Sequence, residues 1–122
     1  MIKIYQKSQT NQSTERVRDW LTARAIPYQT ISKSSLSKAD LMRVLSLSNK
    51  GFDEIMVSES KAPKLYSQLR NSRDLEQMTT DEMIQFLLEH PQLLRSPITF
   101  DEQRLLVGYN TDDIRTFLPR FH

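Results

Sequence analysis

The stretch from His90 to Pro119 reads HPQLLRSPITFDEQRLLVGYNTDDIRTFLP and decides the fold of this 122-residue chain. Two apolar runs, Pro97–Phe100 and Arg104–Val107, flank three polar residues, and this pattern predicts an antiparallel hairpin. Asn110 or Thr111 can then cap a last short amphipathic helix, because Asn and Thr side chains accept hydrogen bonds from the first free N–H groups of a helix. The C-terminal quarter therefore predicts strand, strand and helix in that order.

The first quarter of the chain predicts a strand, a helix and a second strand. Met1–Tyr5 is a short apolar run typical of a buried strand. Val17, Trp20 and Leu21 recur at helical spacing and predict a stripe that faces the core. Pro27 is expected to end this helix, and Pro27–Ile31 provides the second strand. A strand–helix–strand unit of this length favours a parallel strand pair with a right-handed crossover.

The middle of the chain is predicted to be helical. Ser37 precedes an amphipathic helix, and Gly51 near its end is expected to take a positive φ as a cap. Lys61–Leu69 predicts a further helix. Met78–Asp81 is a start signal for the next helix, which should end at His90 before a proline.

This order predicts an α/β fold of the thioredoxin-like type, a mixed four-stranded sheet with helices on both faces and a helical insert. We expect one domain over residues 1–122. Residues 1–32 and 91–122 should form the thioredoxin-like part, and residues 33–90 the insert.

The charge balance argues against a surface that binds nucleic acid directly. Seventeen basic and fifteen acidic residues are mixed along the chain, and the net charge is only +2. A protein that binds the nucleic-acid backbone usually presents a basic face. The densest basic cluster, Lys61, Lys64, Arg70 and Arg73, is more typical of a solvated helix face.

Composition also limits the chemistry and predicts the location. The chain has no cysteine and two histidines, which excludes a disulfide, a cysteine nucleophile and a cysteine-ligated metal. No apolar run approaches the length of about 18 residues that a membrane span needs. The N-terminus turns polar after Tyr5, so we expect no secretory signal and a cytoplasmic protein.

Several segments resemble the Spx branch of the ArsC (arsenate reductase) family. The matching residues run through nearly the whole chain and are densest in the stretch quoted first: Trp20–Leu21, Ile26–Tyr28, Gly51–Ile55, Glu89–Arg95, Pro97–Ile98, Asp101–Glu102, Arg104–Leu105, Val107–Asn110 and Arg115–Arg120. The resemblance implies a stress-response regulator of transcription in a Gram-positive bacterium, without catalytic activity. It further implies binding to the C-terminal domain of the RNA polymerase α subunit, DNA contact only within the polymerase complex, a monomer, and turnover by the ClpXP protease or its adaptor.

The chain departs from the family in the loop after the first strand. Spx proteins carry one or two cysteines there, and those positions fall near Thr10 or Asn11 and near Ser13 or Thr14. The plain structural interpretation is a polar loop that caps the following helix, with Ser13 or Thr14 as the cap. The resemblance therefore predicts a regulator that has lost its thiol redox switch.

Two arginines of the family are also replaced, by Glu59 and by Ser96. In the family these arginines serve the thiolate or an anion, so losing them together with the thiol suggests that the cationic pocket has been lost. Pro97 matches the proline that thioredoxin-like proteins hold in the cis form, and we predict a cis bond between Ser96 and Pro97.

The partner-binding residues follow from the resemblance. Gly51 corresponds to a glycine on the polymerase-contacting surface of Spx, where a side chain would keep the partner's backbone away. Its neighbours Lys50 and Phe52, and Ser46 upstream, are assigned to the same surface by proximity. Phe52 could equally belong to the core.

Three alternatives remain open at the level of sequence. The chain can be an inactive competitor paralogue, or another protein-interaction module on an ArsC scaffold. A reductase is disfavoured, because a Ser or Thr nucleophile needs a nearby general base and neither His90 nor His122 lies near the loop in sequence. No motif predicts a cofactor or a metal site.

Overall fold

Four strands form one mixed sheet in the computed structural model, which describes residues 1–7, 11–64, 66–67 and 77–119. They are β1 (Ile2–Tyr5), β2 (Tyr28–Ile31), β3 (Ile98–Phe100) and β4 (Leu105–Val107), in the order β2-β1-β3-β4. β1 pairs in parallel with β2 and antiparallel with β3, and β3 pairs antiparallel with β4. The predicted thioredoxin-like sheet is confirmed.

Helices surround this sheet and fill the segment between β2 and β3. The described helices are α1 (Gln12–Ala23), α2 (Lys38–Leu47), α3 (Phe52–Ile55), α4 (Thr80–Glu89) and two 3-10 helices, Pro91–Leu93 and Asp113–Phe117. Residues 63–64 and 66–67 are also helical. Lys61 and Ala62 precede this helix and are not part of it, so the expected start at Lys61 was wrong. Leu65, Gln68 and Leu69 of the expected helix lie outside the described residues, as do Arg70 and Arg73.

Two helix starts follow the capping pattern of the sequence. The Ser37 hydroxyl accepts the N–H of Asp40, and the Asp40 carboxylate accepts the N–H of Ser37. Thr79 and Glu82 form the same reciprocal pair at the start of α4. Each pair satisfies two backbone donors that the first turn leaves free.

The sheet separates two apolar clusters. Alternate residues of β1 point to opposite faces, as the period of two in a strand requires. The smaller cluster packs α1 and the last 3-10 helix on one face; its buried residues are Ile2, Ile4, Val17, Leu21, Leu106, Ile114 and Phe117. The larger cluster packs α2, α3 and α4 on the other face, around Tyr5, Ile31, Leu41, Val44, Ile55, Ile84, Leu87, Ile98 and Phe100.

Both expected ends of α1 were wrong. Asn11 caps the helix, since its side chain accepts the N–H of Thr14, so Ser13 and Thr14 lie inside the first turn. The helix ends at Ala23, well before Pro27. Ala25 has a φ of 54°, a left-handed conformation that cannot continue a right-handed helix.

The sequence suggested that Gly51 caps the end of α2, and this expectation was wrong. α2 ends at Leu47 with Ser48 as its C-cap, whereas Gly51 directly precedes α3. Its φ of 64° and ψ of −139° combine as only glycine adopts without strain. The positive φ was therefore predicted, but its role in the turn was not.

The last helix is a 3-10 helix rather than an α-helix. The side-chain oxygen of Asn110 accepts the N–H groups of Asp112 and Asp113 at 2.8 and 3.0 Å. The N-cap position of this helix is Asp112, without a side-chain cap, so neither Asn110 nor Thr111 is the cap that the sequence suggested, and Asn110 instead closes the turn that precedes the helix. The helix is five residues long, Asp113–Phe117, and Pro119 follows it.

Candidate functional site

Asn11 and Ser96, which the sequence analysis assigned to the former redox loop and to a lost arginine, lie close together. The Asn11 amide nitrogen donates to the Ser96 carbonyl at 3.0 Å. The Asn11 side-chain oxygen accepts the N–H of Thr14 at 2.8 Å and the Thr14 hydroxyl at 2.9 Å. One amide group therefore joins the start of α1 to the residue that begins the hairpin.

The neighbouring positions complete this connection. The Ser96 hydroxyl accepts the backbone N–H of Lys7 at 3.2 Å, and the peptide bond between Ser96 and Pro97 is cis, the isomer that the sequence analysis expected. Thr14 is fully buried and Ser13 is half-buried. Thr10 lies outside the described residues.

A cavity of about 320 Å³ opens beside Asn11 and Ser96. We call it the cationic pocket, because three cationic side chains line it, Lys7, Lys61 and Arg95, and no carboxylate among the described residues does. The expectation that the cationic pocket had been lost with its arginines was therefore wrong. Lys7, Lys61 and Arg95 line the space beside Ser96, one of the two positions at which the sequence analysis expected a lost arginine.

Arg95 is fixed at the wall of the cationic pocket by backbone contacts. Its N–H donates to the Ile55 carbonyl at 2.8 Å, and its Nε donates to the Met56 carbonyl at 2.9 Å. These bonds belong to a short bridge in which Met56 pairs with Leu94. The side chain is thereby held beside the pocket, although the residue as a whole is exposed.

Lys7 occupies the other side of the cationic pocket. Its Nζ donates to the Gln92 carbonyl at 3.4 Å. Burial lowers the pKa of the Lys7 ammonium, because partial removal from water disfavours the charged form. Sequence reasoning missed this residue, since nothing near Lys7 in the chain marks it as functional.

The four positions assigned to partner binding form a second region, the Gly51 surface (Ser46, Lys50, Gly51 and Phe52). Ser46 and Lys50 are exposed, and Gly51 and Phe52 are half-buried. A Cβ added to Gly51 would meet no atom within 4 Å. Phe52 packs against the larger apolar cluster, so its ring supports the surface from below.

Gly51 is held by its own turn. The Ser48 hydroxyl donates to the Gly51 carbonyl at 3.2 Å, and the Lys50 N–H donates to the Ser48 oxygen at 3.2 Å. The turn thus presents Lys50 and the open side of Gly51 to solvent.

A groove of about 490 Å³ extends from the Gly51 surface to the edge strand β4. Its charged lining is mixed in sign: Lys50, Arg95, Asp53, Glu54 and Asp113. Arg95 lines both this groove and the cationic pocket. The groove and the cationic pocket are therefore neighbours, and both are lined by Arg95 and Val107.

His90 is placed by packing. Its ring stacks on Phe86 with centroids 4.3 Å apart, and its Nδ1 is buried with no hydrogen-bond partner among the described residues. His122 lies outside the described residues. Within the described ranges, no three His, Asp or Glu side chains cluster closely enough to hold a metal ion, and no helix is long and apolar enough to cross a membrane.

The fold and the cis proline beside Asn11 are typical of a class of thioredoxin-like proteins. Comparison with known families identifies this class. The model of the ArsC family matches residues 4–117. The chain belongs to the ArsC family.

Curated relatives place the chain within the Spx branch of that family. The "Global transcriptional regulator Spx" of Bacillus subtilis (strain 168) is 37% identical over 122 residues, which cover 98% of this chain and 88% of that protein. The "Global transcriptional regulator Spx 2" of Oceanobacillus iheyensis is 36% identical over 110 residues, which cover 88% of this chain and 78% of that protein. The sequence resemblance is therefore confirmed.

Solved structures agree on the fold. A putative ArsC family related protein from Bacteroides fragilis superimposes with a TM-score of 0.70 at 20% identity, covering 94% of this chain and 95% of that one. A Staphylococcus aureus COL protein solved by NMR gives a TM-score of 0.72 at 18% identity, covering 95% and 97%. At these identities the likeness speaks for the fold alone.

Proposed function

We propose that this chain is a regulator of transcription that binds the C-terminal domain of the RNA polymerase α subunit and works without a thiol redox switch. The relatives named as Spx regulators support the regulatory role. The observation that carries the binding proposal is Gly51, whose positive φ and open surroundings keep a solvent-facing spot free of side-chain atoms. A partner backbone can approach such a spot closely.

The mechanism is contact rather than catalysis. Bound to the α subunit, the protein blocks activators from the same surface or tethers the polymerase to promoters, and DNA is met only within that complex. Because the chain has no cysteine, its activity is set by its abundance in the cytoplasm, through synthesis and through proteolysis by ClpXP or its adaptor. The working unit is a monomer.

A role as a reductase is disfavoured by the residues in the loop. The polar side-chain atoms of Asn11 and Thr14 form hydrogen bonds within this pair and with Ser96. Neither residue has a histidine beside it in the described part of the site that could act as a general base.

The test is calorimetric titration of the purified α C-terminal domain into the wild-type protein and into Gly51→Arg and Gly51→Ala. Both substitutions add a Cβ at a positive φ and share the backbone strain, but only arginine adds bulk. We expect binding by the wild type and by Gly51→Ala, and a loss of at least about 2 kcal/mol, roughly thirtyfold in affinity, for Gly51→Arg.

Gly108→Arg is the matched control at a second site. Gly108 also has a positive φ, 80°, and nothing within 4 Å of an added Cβ, but it lies beside the cationic pocket. Equal loss of binding in both arginine variants would mean that strain, rather than the Gly51 surface, controls affinity. Absence of binding by the wild type would overturn the proposal. Binding by the wild type without any effect on transcription would identify a competitor paralogue.

A further inference from the structure

Lys7 has a setting that distinguishes it from the surface lysines. It follows β1 directly, and its backbone N–H is fixed to the Ser96 hydroxyl at 3.2 Å. Its Nζ lies 3.4 Å from the Gln92 carbonyl. Lys7 lines both the cationic pocket and a smaller cavity of about 170 Å³, which Tyr5, Lys33, Pro91 and Gln92 also line. The side chain is thus adjacent to both cavities, and its amine is held on the Gln92 side.

The charges around this amine suit a compact anion. Lys61 and Arg95 line the cationic pocket, and none of its lining residues is acidic. The Nε of Arg95 donates to the Met56 carbonyl, and within the described part of the chain its two terminal nitrogens are left for a ligand. Phosphate oxygens match a fixed guanidinium and an adjacent ammonium.

The amine itself is more nucleophilic than an exposed one. Partial burial lowers the pKa of Lys7, so a larger fraction of its amine is neutral near pH 7 than at a fully solvated lysine. A neutral lysine amine attacks carbonyl carbon, and desolvation is a recognised way to activate it. Lys7 therefore offers a nucleophilic amine, and its side chain lines the cationic pocket, which suits an anion.

We propose that Lys7 is an acylation site that reacts directly with small acyl phosphates, whose phosphoryl group is held by Arg95 and Lys61. The neutral Nζ attacks the acyl carbon and forms a C–N bond. The bond from that carbon to the phosphate oxygen breaks, and inorganic phosphate leaves with the electron pair. The nitrogen gives up one proton to the departing phosphate or to water, and no atom is oxidised or reduced.

The product is a neutral amide at Lys7. Acylation removes one of the three charges that line the cationic pocket, and with it the ammonium that faces Gln92. The inference is independent of polymerase binding, since it concerns only the pocket and its ligand.

The test is incubation of the intact protein with acetyl phosphate, followed by peptide mass spectrometry of the acetylation rate at each lysine. The exposed Lys50 and Lys64 are internal references. We expect Lys7 to be acetylated on the order of tenfold faster than either reference, with inorganic phosphate slowing Lys7 selectively. Equal rates at Lys7 and at the references would overturn the proposal.

A second acyl donor separates recognition of phosphate from simple reactivity. The N-hydroxysuccinimide ester of acetate carries no phosphate, so the preference for Lys7 over the references should shrink with it. Lys61→Gln, at an exposed position, should slow acetylation of Lys7 by acetyl phosphate but not by the ester, and Arg95→Gln should do the same. An unchanged preference for Lys7 with the ester, or no effect of Lys61→Gln, would refute the role assigned to the pocket.

Discussion

The cationic pocket and the Gly51 surface are linked by a groove that both Arg95 and Lys50 line, but the two regions are built in opposite ways. Beside the pocket, Asn11 and Ser96 use their polar atoms on each other and on Lys7 and Thr14. At the Gly51 surface the central residue has no side chain, and no atom lies within 4 Å of where one would begin. The positions that the sequence analysis assigned to the redox loop are part of the scaffold, whereas the proposed contact position stays open. This difference implies that changes near the pocket should act on stability and changes at Gly51 on binding.

The largest loss of stability is expected for Asn11→Ala. It removes the N-cap of α1 and the bond to the Ser96 carbonyl, and the free energy of unfolding should fall by about 2 kcal/mol. Urea unfolding followed by circular dichroism measures this. Asn11→Asp is the matched variant, because it keeps the capping oxygen and loses only the donor to Ser96, so it should cost less.

Ser13→Ala is the neighbouring control for that prediction. Ser13 was one of the two expected caps, but it lies inside the first turn of α1. Its replacement should change stability by no more than about 0.5 kcal/mol. A cost as large as that of Asn11→Ala would mean that the capping assignment is wrong.

Gly51→Ala should cost less than Asn11→Ala and leave partner affinity intact. The methyl group meets no neighbour, so the cost is the backbone strain of a positive φ, about 1 to 2 kcal/mol. Gly108→Ala, also at a positive φ, should show a similar cost in the same unfolding experiment. A neutral result at both glycines would contradict the conformations described.

The free energy of unfolding should depend on pH through Asp40, which lies in neither of the two regions. Burial alone would raise the pKa of this carboxyl, but hydrogen bonds from the Ser37 backbone and from Lys3 outweigh it and hold the pKa below its usual range. Folding thus weakens proton binding at Asp40. The resulting stabilisation is present above the unfolded-state pKa of about 3.9 and is lost as the pH falls through the lower folded-state pKa.

Lys3→Met tests this by removing the 3.1 Å ion pair with Asp40. At pH 7 it should cost about 1 kcal/mol, and the loss of stability between pH 5 and pH 3 should become shallower than in the wild type. Unfolding midpoints across this range give the comparison. An unchanged pH profile would show that the ion pair does not contribute.

The smallest effect is expected for Ser46→Ala. The Ser46 hydroxyl donates only to the Arg43 carbonyl of its own helix, so the free energy of unfolding should change by less than about 0.5 kcal/mol. If titration of the α C-terminal domain nevertheless shows weaker binding, Ser46 belongs to the contact. If affinity is unchanged, the contact is confined to the turn around Gly51.

The succession of strands and helices along the chain and the helix starts at Ser37 and Thr79 could be predicted from sequence, because each rests on neighbours in the chain. Alternating apolar residues mark the strands, and a Ser or Thr followed three residues later by an acid marks a cap. The start of α1 could not be placed in this way. Its N-cap is Asn11, whose side chain also donates a hydrogen bond to the carbonyl of Ser96, 85 residues away in sequence. Such a long-range contact leaves no pattern in the local sequence.

The two regions of the candidate site also differ in how far they could be predicted from local sequence. The positive φ of Gly51 could be anticipated from the glycine itself, and its assignment to partner binding from the family resemblance, but its place before α3 could not. The cationic pocket could not, because Lys7, Lys61 and Arg95 come from three distant segments, and the two replaced arginines suggested its absence. The one local signal was that Arg95 directly precedes Ser96, so a cation lies one residue from where the family has one.

The measurement that tests the separation of the two regions most directly is affinity for the α C-terminal domain, determined side by side with unfolding free energy for Asn11→Ala and Gly51→Arg. We predict that Asn11→Ala loses stability and keeps wild-type affinity, while Gly51→Arg loses affinity by far more than its unfolding free energy explains. An Asn11→Ala protein that folds but no longer binds, beside a Gly51→Arg protein that binds normally, would contradict the account.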